Sequence, residues 1–398
     1  MNGGMPAAAA NGSRDADALH VVHGVLSMDL GGLERLVLAL IDSGRRRGYR
    51  NSIVCVDRPG QLADDARALG ADVHCLNADA DRALALPRAR ELLGLLDADV
   101  LHTHQIGALW HLGRAAAEAS PRTTLIHTEH SDHATLARGL PQQIKSRLWW
   151  HRAGRLPQRF CCVSEDIAAS VRRWRTVPAH KVTVVRNGID VDTFADRAPR
   201  RQVRRELGLP DDAFVIGTVG RLNEVKRQDL LLRAFSAIAA QHPQAWLLIV
   251  GDGPERPALA ALAGELGIGA RTVFAGYQSR TERFLAAMDA FALTSRHEGL
   301  PLALLEAWAS GLPVVSSAVG GIVRVVRDEA NGLLFDSGDI AGLARALSRL
   351  IDDNALRDAL ARQGHDDARA HYSLDRMADD YDRHYRNAMT QIRSRRSA

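Results

Sequence analysis

Two glutamates eight residues apart, Glu298 and Glu306, flank a Gly-Leu-Pro break in the segment EGLPLALLEAWASGLPVV. Helix-forming residues follow the break, and Gly311 with Pro313 indicates where that helix ends. We therefore expect Glu298 in a loop at a helix N-terminus and Glu306 about two turns further in. Free N–H groups at a helix N-terminus suit a diphosphate, and ionised glutamates suit hydroxyl groups because they only accept hydrogen bonds. A sugar nucleotide presents these groups: a sugar, a diphosphate and a ribose.

A basic pair, Arg221 and Lys226, follows the strand-like run FVIGTVG. Parallel α/β sheets bind ligands at the carboxyl ends of their strands. Two cations placed there could clamp both phosphates of a nucleotide and stabilise the negative charge of a leaving diphosphate. The alternative interpretation is a solvated basic turn.

A glycine pair, Gly31 and Gly32, follows the first predicted strand and opens a Leu-rich helix. Glycine lets a backbone approach a phosphate closely. The pair does not form the G-x-G-x-x-G fingerprint of dinucleotide sites, which argues against a nicotinamide dehydrogenase. Taken alone, it is more typical of a tight strand-to-helix turn without a ligand.

Histidines are frequent in the first half of the chain, at His102 and His104 in LHTHQ and at His127, His130 and His133 in IHTEHSDH. An H-x-H spacing on a strand places both rings on one face, and two histidines three residues apart can share a metal ion. Zinc binding is therefore one interpretation. No compact set of cysteines or acids completes such a site, which argues against it.

Composition indicates an ordinary globular protein. The chain has 398 residues, 46% of them hydrophobic and 25% charged, a length that suggests two or three domains. A net charge of +4 is a mild bias that does not indicate nucleic-acid binding. The four cysteines have no C-x-x-C spacing and are expected to be reduced thiols in a cytosolic protein. Residues 1–18 lack the pattern of a secretory signal and are expected to form a disordered tail.

Short β-branched runs alternate with helical stretches, which predicts parallel sheets covered by helices. Seven such runs precede residue 190, and five lie between residues 214 and 317. A charged, proline-containing segment at residues 192–212 separates the two groups. The pattern predicts two α/β modules, at residues 19–192 and 193–372, followed by a helical segment at residues 373–398.

Several motifs together resemble a known family. Besides the glutamate pair they are GGLERLVLAL, TVGRLNEVKRQDLLLRAF, LLIVGDGPERPAL, VFAGY and NGLLFDSGD. In this order they resemble retaining glycosyltransferases of the GT-B fold, specifically glycosyltransferase family 4, and the likeness extends from about Leu19 to Tyr385. It implies two Rossmann-like, doubly wound domains facing each other across a cleft. The first would bind the acceptor and the second the nucleotide-sugar donor, and the last helix would return to the first domain. The resemblance implies no metal and no cofactor.

The resemblance also assigns roles to residues. Arg221 and Lys226 match the pair that holds the diphosphate, and Glu306 matches the residue that accepts from the ribose hydroxyls. Glu298 matches the residue near the donor sugar and the reacting centre. Backbone N–H groups of the intervening segment would face the sugar and its phosphate, except at the proline; this segment is Gly299, Leu300, Pro301 and Leu302.

In the first domain, the resemblance places Gly31 and Gly32 against the donor diphosphate. His130, in TEHS, matches a histidine that contacts the donor sugar, with His127 as the second match. His104 matches a position that lines the cleft. The expected catalytic set is therefore Glu298, His130, Arg221 and Lys226.

The segment at residues 139–160 combines Trp149 and Trp150 with basic residues and has no acid. Tryptophan beside basic groups suits an anionic membrane surface. Many relatives act on lipid-linked acceptors at the cytoplasmic leaflet, so peripheral binding to the inner face of the plasma membrane is one interpretation. The other is a helix that packs its tryptophans inward. The basic residues are Lys145, Arg147, Arg152, Arg155 and Arg159.

The function that these observations predict is retaining transfer of a sugar from a nucleotide-sugar, with a UDP-sugar favoured. The acceptor would be a hydroxyl group of a glycan, a lipid-linked molecule or a small molecule, in cell-surface polysaccharide or glycolipid synthesis. Two alternatives stay open: a GT-B sugar-nucleotide epimerase and a non-catalytic nucleotide-sugar-binding protein. The basic pair together with both glutamates favours transfer over epimerisation. A non-catalytic relative would be expected to have lost a site residue, and all are present here.

Overall fold

The computed structural model describes residues 18–130, 140–195 and 199–397. Three predictions concern positions outside these ranges. They are the N-terminal tail up to residue 17, His133, and Gly139 at the start of the basic segment.

The described residues contain two sheets in which every paired strand is parallel. The strand orders are β3-β2-β1-β4-β5-β6-β7 and β10-β9-β8-β11-β12-β13. All twelve predicted strands are present; β13 was not predicted, because three residues are too few for a recognisable pattern. The strands are β1 (His20–Val25), β2 (Arg50–Cys55), β3 (Asp72–Cys75), β4 (Val100–His104), β5 (Thr124–Glu129), β6 (Arg159–Cys162), β7 (Val182–Val184), β8 (Phe214–Val219), β9 (Ala245–Val250), β10 (Thr272–Gly276), β11 (Ala290–Leu293), β12 (Val314–Ser317) and β13 (Leu333–Phe335).

Helices cover the faces of both sheets. They are α1 (Gly32–Arg46), α2 (Ala63–Ala68), α3 (Ala85–Leu96), α4 (Ile106–Ala108), α5 (Arg114–Ala119), α6 (Leu140–Ala153), α7 (Glu165–Trp174), α8 (Val191–Ala195), α9 (Arg200–Glu206), α10 (Gln228–Ile238), α11 (Arg256–Glu265), α12 (Thr281–Ala286), α13 (Leu302–Ala309), α14 (Ile322–Val325), α15 (Ile340–Asp352), α16 (Asn354–His371) and α17 (Leu374–Ser397). A π-helical turn, Leu109–Gly113, joins α4 to α5. Single 3₁₀ turns occur at Arg82–Leu84, Ala179–Lys181 and Gly269–Arg271.

Burial on both faces explains why the strands read as continuous apolar runs rather than alternating ones. In the first sheet, Val22 and Leu101 belong to one core cluster, whereas their neighbours Val21 and Val100 belong to another. Two parallel sheets, each covered by helices on both faces, confirm the predicted fold class.

The last helix, α17, packs against the first sheet. Tyr385 Oη lies 2.7 Å from His102 Nδ1, and Tyr381 Oη lies 3.0 Å from Thr128 Oγ1. Both tyrosines are almost fully buried. The chain therefore leaves the first domain, builds the second, and ends on the first again.

The two chain segments that pass between the domains lie side by side. Ile189 N donates to Tyr372 O at 2.9 Å, and Leu374 N donates to Ile189 O at 2.7 Å. These bonds hold Ile189 and Ser373 in a parallel bridge. Two adjacent crossings concentrate the covalent link between the domains at one place.

Loops at the carboxyl ends of the strands position the predicted site residues. Each loop begins within a few residues of a strand end, as parallel α/β folds require of their binding sites. The loops after β1, β5, β8 and β11 supply Gly31, His130, Arg221 and Glu298, respectively.

Candidate functional site

An ion pair joins two loops of the second domain. Lys226 Nζ donates to Glu298 Oε1 at 2.6 Å, and Ser295 Oγ donates to the same oxygen at 2.6 Å. Two further bonds link the loops, because Thr294 Oγ1 donates to Lys226 O at 2.9 Å and Arg296 N donates to Val225 O at 2.8 Å. Glu298 is only 10% exposed and Lys226 27%, so the pair is shielded from water on most sides. The Lys226 ammonium is thus held where the carboxyl ends of β8 and β11 meet.

Arg221 lies nearby with an exposed side chain. Its positive charge acts on Glu34, in the first turn of α1 in the other domain. Burial raises the pKa of Glu34 to about 7, Asp29 adds to that rise, and Arg221 opposes it. An exposed cation of the second domain therefore acts on a partly desolvated carboxyl group of the first.

The segment at residues 299–302 lies between the domains. An added Cβ on Gly299 would come within 2.8 Å of the backbone oxygen of His130 in the first domain. Asn187 Nδ2 donates to Leu300 O at 2.9 Å. Pro301 is the N-cap residue of α13, and Leu302 packs into the core cluster beneath α17. This segment is therefore fixed by contacts to both domains.

A second glycine pair, Gly320 and Gly321, lies directly against this segment. A Cβ on Gly320 would stand 2.1 Å from Glu298 O, and one on Gly321 would stand 1.8 Å from Gly299 O. Gly320 also has a φ of +47°. Only glycine allows such a close approach, so the loop after β12 fixes the backbone of the glutamate loop.

Glu306 is the fifth residue of α13, just over one turn into the helix, and it is 8% exposed. Thr281 Oγ1 donates to Glu306 Oε2 at 3.3 Å. Burial raises the pKa of this carboxyl group, and the positive charge of Arg35 in the first domain opposes that rise. Glu306 is a hydrogen-bond acceptor in a desolvated setting, where hydroxyl donors are bound strongly.

The glycine pair of the first domain faces this structure from the opposite side. Gly31 is the N-cap residue of α1 and has no side-chain cap. A Cβ on Gly31 would lie 2.2 Å from Glu34 Oε2, and one on Gly32 would lie 3.9 Å from Leu302 Cδ1. The N-terminus of α1 is thus directed at the beginning of α13, with the Glu34 carboxylate folded across it.

His130 ends a row of three histidines. Its Nε2 lies 3.3 Å from His104 Nδ1, and His104 Nε2 lies 3.2 Å from His23 Nδ1. Burial lowers the pKa of His130 and of His23 to about 4, and it lowers the pKa of His104 well below the usual value. All three rings are neutral near pH 7, so each can donate through one nitrogen and accept through the other.

The geometry bears on the zinc interpretation of these histidines. His23, His102 and His104 bring one nitrogen each within 4.8 Å of one another. Both nitrogens of His102 already have partners, Tyr385 Oη at 2.7 Å and Thr128 Oγ1 at 2.8 Å. His104 likewise has partners at both nitrogens, so two of these three rings are held by hydrogen bonds inside the protein.

Two further predicted residues lie inside the first domain rather than on the cleft surface. His104 is 0% exposed and approaches the cleft only through His130. His127 is also 0% exposed; its ring packs against Phe160, and its Nδ1 lies 3.0 Å from Thr103 Oγ1. Successive residues of a strand point to opposite faces, so the side chains of His127 and Thr128 lie on opposite sides of the sheet. Of the three histidines, only His130 is placed to contact a ligand directly.

Sequence reasoning missed several residues that shape this site. Gly320 and Gly321 could have been found as a glycine pair after a strand, the signal that identified Gly31 and Gly32. The other missed residues, Ser295, Thr281 and Arg35, have no local pattern that singles them out. They belong to the site only because distant segments meet there.

Residues 140–153 of the basic segment form α6, and both tryptophans point inward. Trp150 is 6% exposed and packs against Phe160, and Trp149 packs against Trp110. The interpretation with inward-facing tryptophans is therefore correct for these two side chains. Ile144 and Leu148 of this helix are one turn apart and are 54% and 62% exposed. In the described part of the chain, no helix combines the length and apolar character needed to span a bilayer.

Family models match both halves of the chain. Residues 30–193 match the family described as Glycosyltransferase Family 4, and residues 199–367 match the family described as Glycosyl transferases group 1. The boundary between the matches coincides with the segment that separates the two sheets.

Individual proteins are similar over different lengths. The lipopolysaccharide core biosynthesis glycosyltransferase LpsE of Rhizobium meliloti is 42% identical over 178 residues, 45% of this chain and 51% of LpsE. The chain thus spans about half the length of that relative. A D-inositol 3-phosphate glycosyltransferase of Nocardioides sp. is 34% identical over 74% of this chain and 68% of its own length. The UDP-Gal:alpha-D-GlcNAc-diphosphoundecaprenol alpha-1,3-galactosyltransferase of Escherichia coli is 27% identical over 85% of this chain and 89% of its own.

Solved structures share the fold. HepE from Anabaena, crystallised in complex with UDP-glucose, superimposes with a TM-score of 0.79 at 21% identity, over 95% of this chain and 99% of HepE. At this level of identity the likeness concerns architecture.

Proposed function

The chain belongs to glycosyltransferase family 4, and we propose that it transfers a sugar from a nucleotide-sugar donor to a hydroxyl group in lipopolysaccharide or related cell-surface glycan synthesis. We favour a UDP-sugar as the donor, because the Escherichia coli relative is named for UDP-Gal. The name of LpsE supports the lipopolysaccharide context. The lipid-linked acceptor in the name of the Escherichia coli protein supports a glycan or lipid-linked acceptor here.

One arrangement is the main support for a donor site. Lys226, Arg221 and the buried Glu306 lie on the second domain, and the N-terminus of α1, with the Glu34 carboxyl group across it, faces them from the first. The two cations suit the phosphates, and Glu306 suits the ribose hydroxyls. These groups support a site for the diphosphate and the ribose of a nucleotide.

The proposed chemistry is electrostatic. Breaking the anomeric C–O bond puts positive charge on the sugar ring and negative charge on the diphosphate. Lys226 and Arg221 stabilise the departing diphosphate because their charges are already in place before the bond breaks. Glu298 orients Lys226 through the 2.6 Å ion pair and lies next to the proposed sugar position. His130, neutral near pH 7, is able to hydrogen-bond a sugar hydroxyl.

We propose that the anomeric configuration is retained by attack on the same face as the leaving diphosphate, which helps to remove the acceptor proton. A double displacement of the glycosidase type needs a free carboxylate nucleophile. Glu298 fits that role poorly, because its Oε1 already accepts from Lys226 and Ser295. Proton NMR of the product with an α-linked donor would show an α-linkage if retention is right and a β-linkage if it is not.

Donor binding can be tested directly. Isothermal titration calorimetry with UDP, GDP and ADP should show one nucleotide bound at micromolar strength by the wild-type protein. The double variant Arg221→Ala/Lys226→Ala should lose most of that binding, whereas Arg296→Ala, an exposed arginine paired with Glu224, should keep it. Wild-type affinity in the double variant would show that the diphosphate lies elsewhere.

We further propose peripheral binding to an anionic membrane through α6. The support is an exposed apolar pair, Ile144 and Leu148, on a helix with exposed Arg147 and Arg152. Apolar residues flanked by cations favour the interface of an anionic bilayer. Cosedimentation with vesicles containing anionic lipid should therefore exceed cosedimentation with neutral vesicles.

A matched pair of variants distinguishes binding through this surface from nonspecific binding to vesicles. Ile144→Ser/Leu148→Ser should lower cosedimentation with anionic vesicles. Leu95→Ser, at an even more exposed leucine on α3, should not. Equal sedimentation of all three proteins would contradict the membrane proposal and leave the donor site untouched.

A further inference from the structure

A single side chain of the first domain reaches across the cleft to the proposed ribose site. Arg35 lies on α1, three residues after Gly32. Its guanidinium donates to Gln278 O, to Tyr277 Oη at 3.4 Å and to Thr281 Oγ1 at 3.5 Å, all in the second domain. The guanidinium also lies 5.7 Å from the centre of the Tyr277 ring. Four contacts from one side chain fix its position well.

These contacts place Arg35 next to Glu306. Thr281, which receives a hydrogen bond from Arg35, donates one itself to Glu306 Oε2 at 3.3 Å. Glu282 also acts on Glu306, and its charge has the same sign. Arg35 is a cation that balances this buried carboxylate, and it comes from the opposite domain.

The chemistry of the ribose site makes this balance important. A carboxylate accepts hydrogen bonds from two hydroxyl groups, whereas a protonated carboxyl group uses one oxygen as a donor. Burial without a counter-charge favours the protonated form. We propose that Arg35 is a positioning residue of the donor site, which supplies from the first domain the charge that keeps Glu306 ionised for the ribose. This inference rests on the proposed function, and it makes the ribose site complete only when both domains are in contact.

The pH dependence of donor binding follows from the same contacts. Burial already raises the pKa of Glu306, and Arg35 opposes this rise. Loss of Arg35 raises the pKa further, so the ionised form of Glu306 is lost at a higher pH than in the wild type. Donor affinity in Arg35→Ala should therefore fall more steeply than wild-type affinity as the pH decreases from 8 to 6.

The test uses steady-state kinetics of the full chain with the UDP-sugar that it accepts. Arg35→Ala should raise the donor KM about tenfold or more, with a smaller effect on kcat. This is the size expected for losing hydrogen bonds between the ribose and the charged Glu306 carboxylate. Arg35→Lys should restore much of the pH profile because it keeps the charge. Arg46→Ala, on the same helix and paired with Asp42, should behave as wild type.

A double-mutant cycle shows whether Arg35 acts through Glu306. In the Glu306→Gln background there is no carboxylate to balance, so adding Arg35→Ala should change KM less than twofold and should not change its pH dependence. An undiminished effect in that background would overturn the inference, because Arg35 would then only link the domains. So would an Arg35→Ala protein that matches Arg46→Ala. A wild-type protein that uses no sugar nucleotide would instead refute the proposed function itself.

Discussion

Replacing Gly364 by alanine has opposite effects on helix propensity and on packing, in a helix that packs against α13 of the proposed donor site. Gly364 lies in the middle of α16, where its added Cβ would stand 2.4 Å from Trp308 Cδ1 and 2.6 Å from Trp308 Nε1. Trp308 is 0% exposed, lies on α13 two residues after Glu306, and donates from Nε1 to Asn331 O at 3.0 Å. The indole therefore cannot withdraw without breaking that bond.

The two effects have opposite signs. Alanine in a helix interior is favoured over glycine by about 1 kcal/mol. Overpacking a fully buried position costs roughly 1–3 kcal/mol. We expect the second effect to win, because real Cβ contacts are essentially never as short as those at Gly364. The free energy of unfolding should therefore fall by about 0–2 kcal/mol in Gly364→Ala. Gly94→Ala, in α3 with no atom within 4 Å of the added Cβ, should instead gain up to about 1 kcal/mol.

Hydrogen exchange measured by mass spectrometry resolves these changes by region, which suits a protein of two domains. Peptides from residues 302–309 and 354–371 should exchange faster in Gly364→Ala than in the wild type. Peptides from residues 85–96 should exchange more slowly in Gly94→Ala. UDP binding should weaken only in the first variant, because Trp308 and Glu306 share a helix. Slower exchange in α16 of Gly364→Ala would refute the packing argument.

Three further predictions follow from the site. Lys226→Ala should lower kcat about 100-fold, as loss of one preorganised donor to a developing oxyanion does, and Lys226→Arg should lower it less; wild-type turnover in Lys226→Ala would contradict the proposed role. Gly321→Ala should weaken UDP binding at least tenfold by calorimetry, because a 1.8 Å contact with Gly299 O forces the glutamate loop to move; unchanged affinity would show that the loop yields without cost. Burial lowers the pKa of His23 and His130 to about 4 from 6.5. Protonation of these histidines therefore favours the unfolded state, and this loss of folding stability is absent above pH 6.5 and complete below about pH 4. The first domain should lose up to roughly 1.4 kcal/mol per histidine per pH unit in between, and a flat urea-unfolding profile between pH 7 and pH 4.5 would contradict this.

The pattern of apolar residues in the sequence was sufficient to predict the two α/β modules. Strands buried on both faces must be apolar throughout, as in AWLLIV and FVIGTV, and the helices between them must be amphipathic. Twelve of thirteen strands follow from that rule. The rule could not identify β13, because its three residues are held by pairing with β12 rather than by a pattern of their own.

The roles of individual histidines could not be read from their spacing. His127 and His130 are close in the chain, yet one packs against Phe160 inside the first domain and the other lies at the cleft. Strand alternation predicts that His127 and Thr128 point to opposite faces of the sheet. It does not predict which face meets the cleft, because that depends on how the helices cover the sheet. His23 lies in the row with His104 and His130 only because β1 and β4 are neighbouring strands.

The sequence alone indicated a site for a phosphorylated, hydroxyl-rich ligand through the types and order of Glu298, Glu306, Arg221 and Lys226. This was possible because charge and hydrogen-bonding capacity are properties of the residues themselves. Which groups actually meet was set by folding. The 2.6 Å bond between Lys226 and Glu298, and the reach of Arg35 from one domain to Thr281 in the other, join residues 72 and 246 positions apart. Contacts at such separations depend on sheet order and domain placement, which no local pattern encodes.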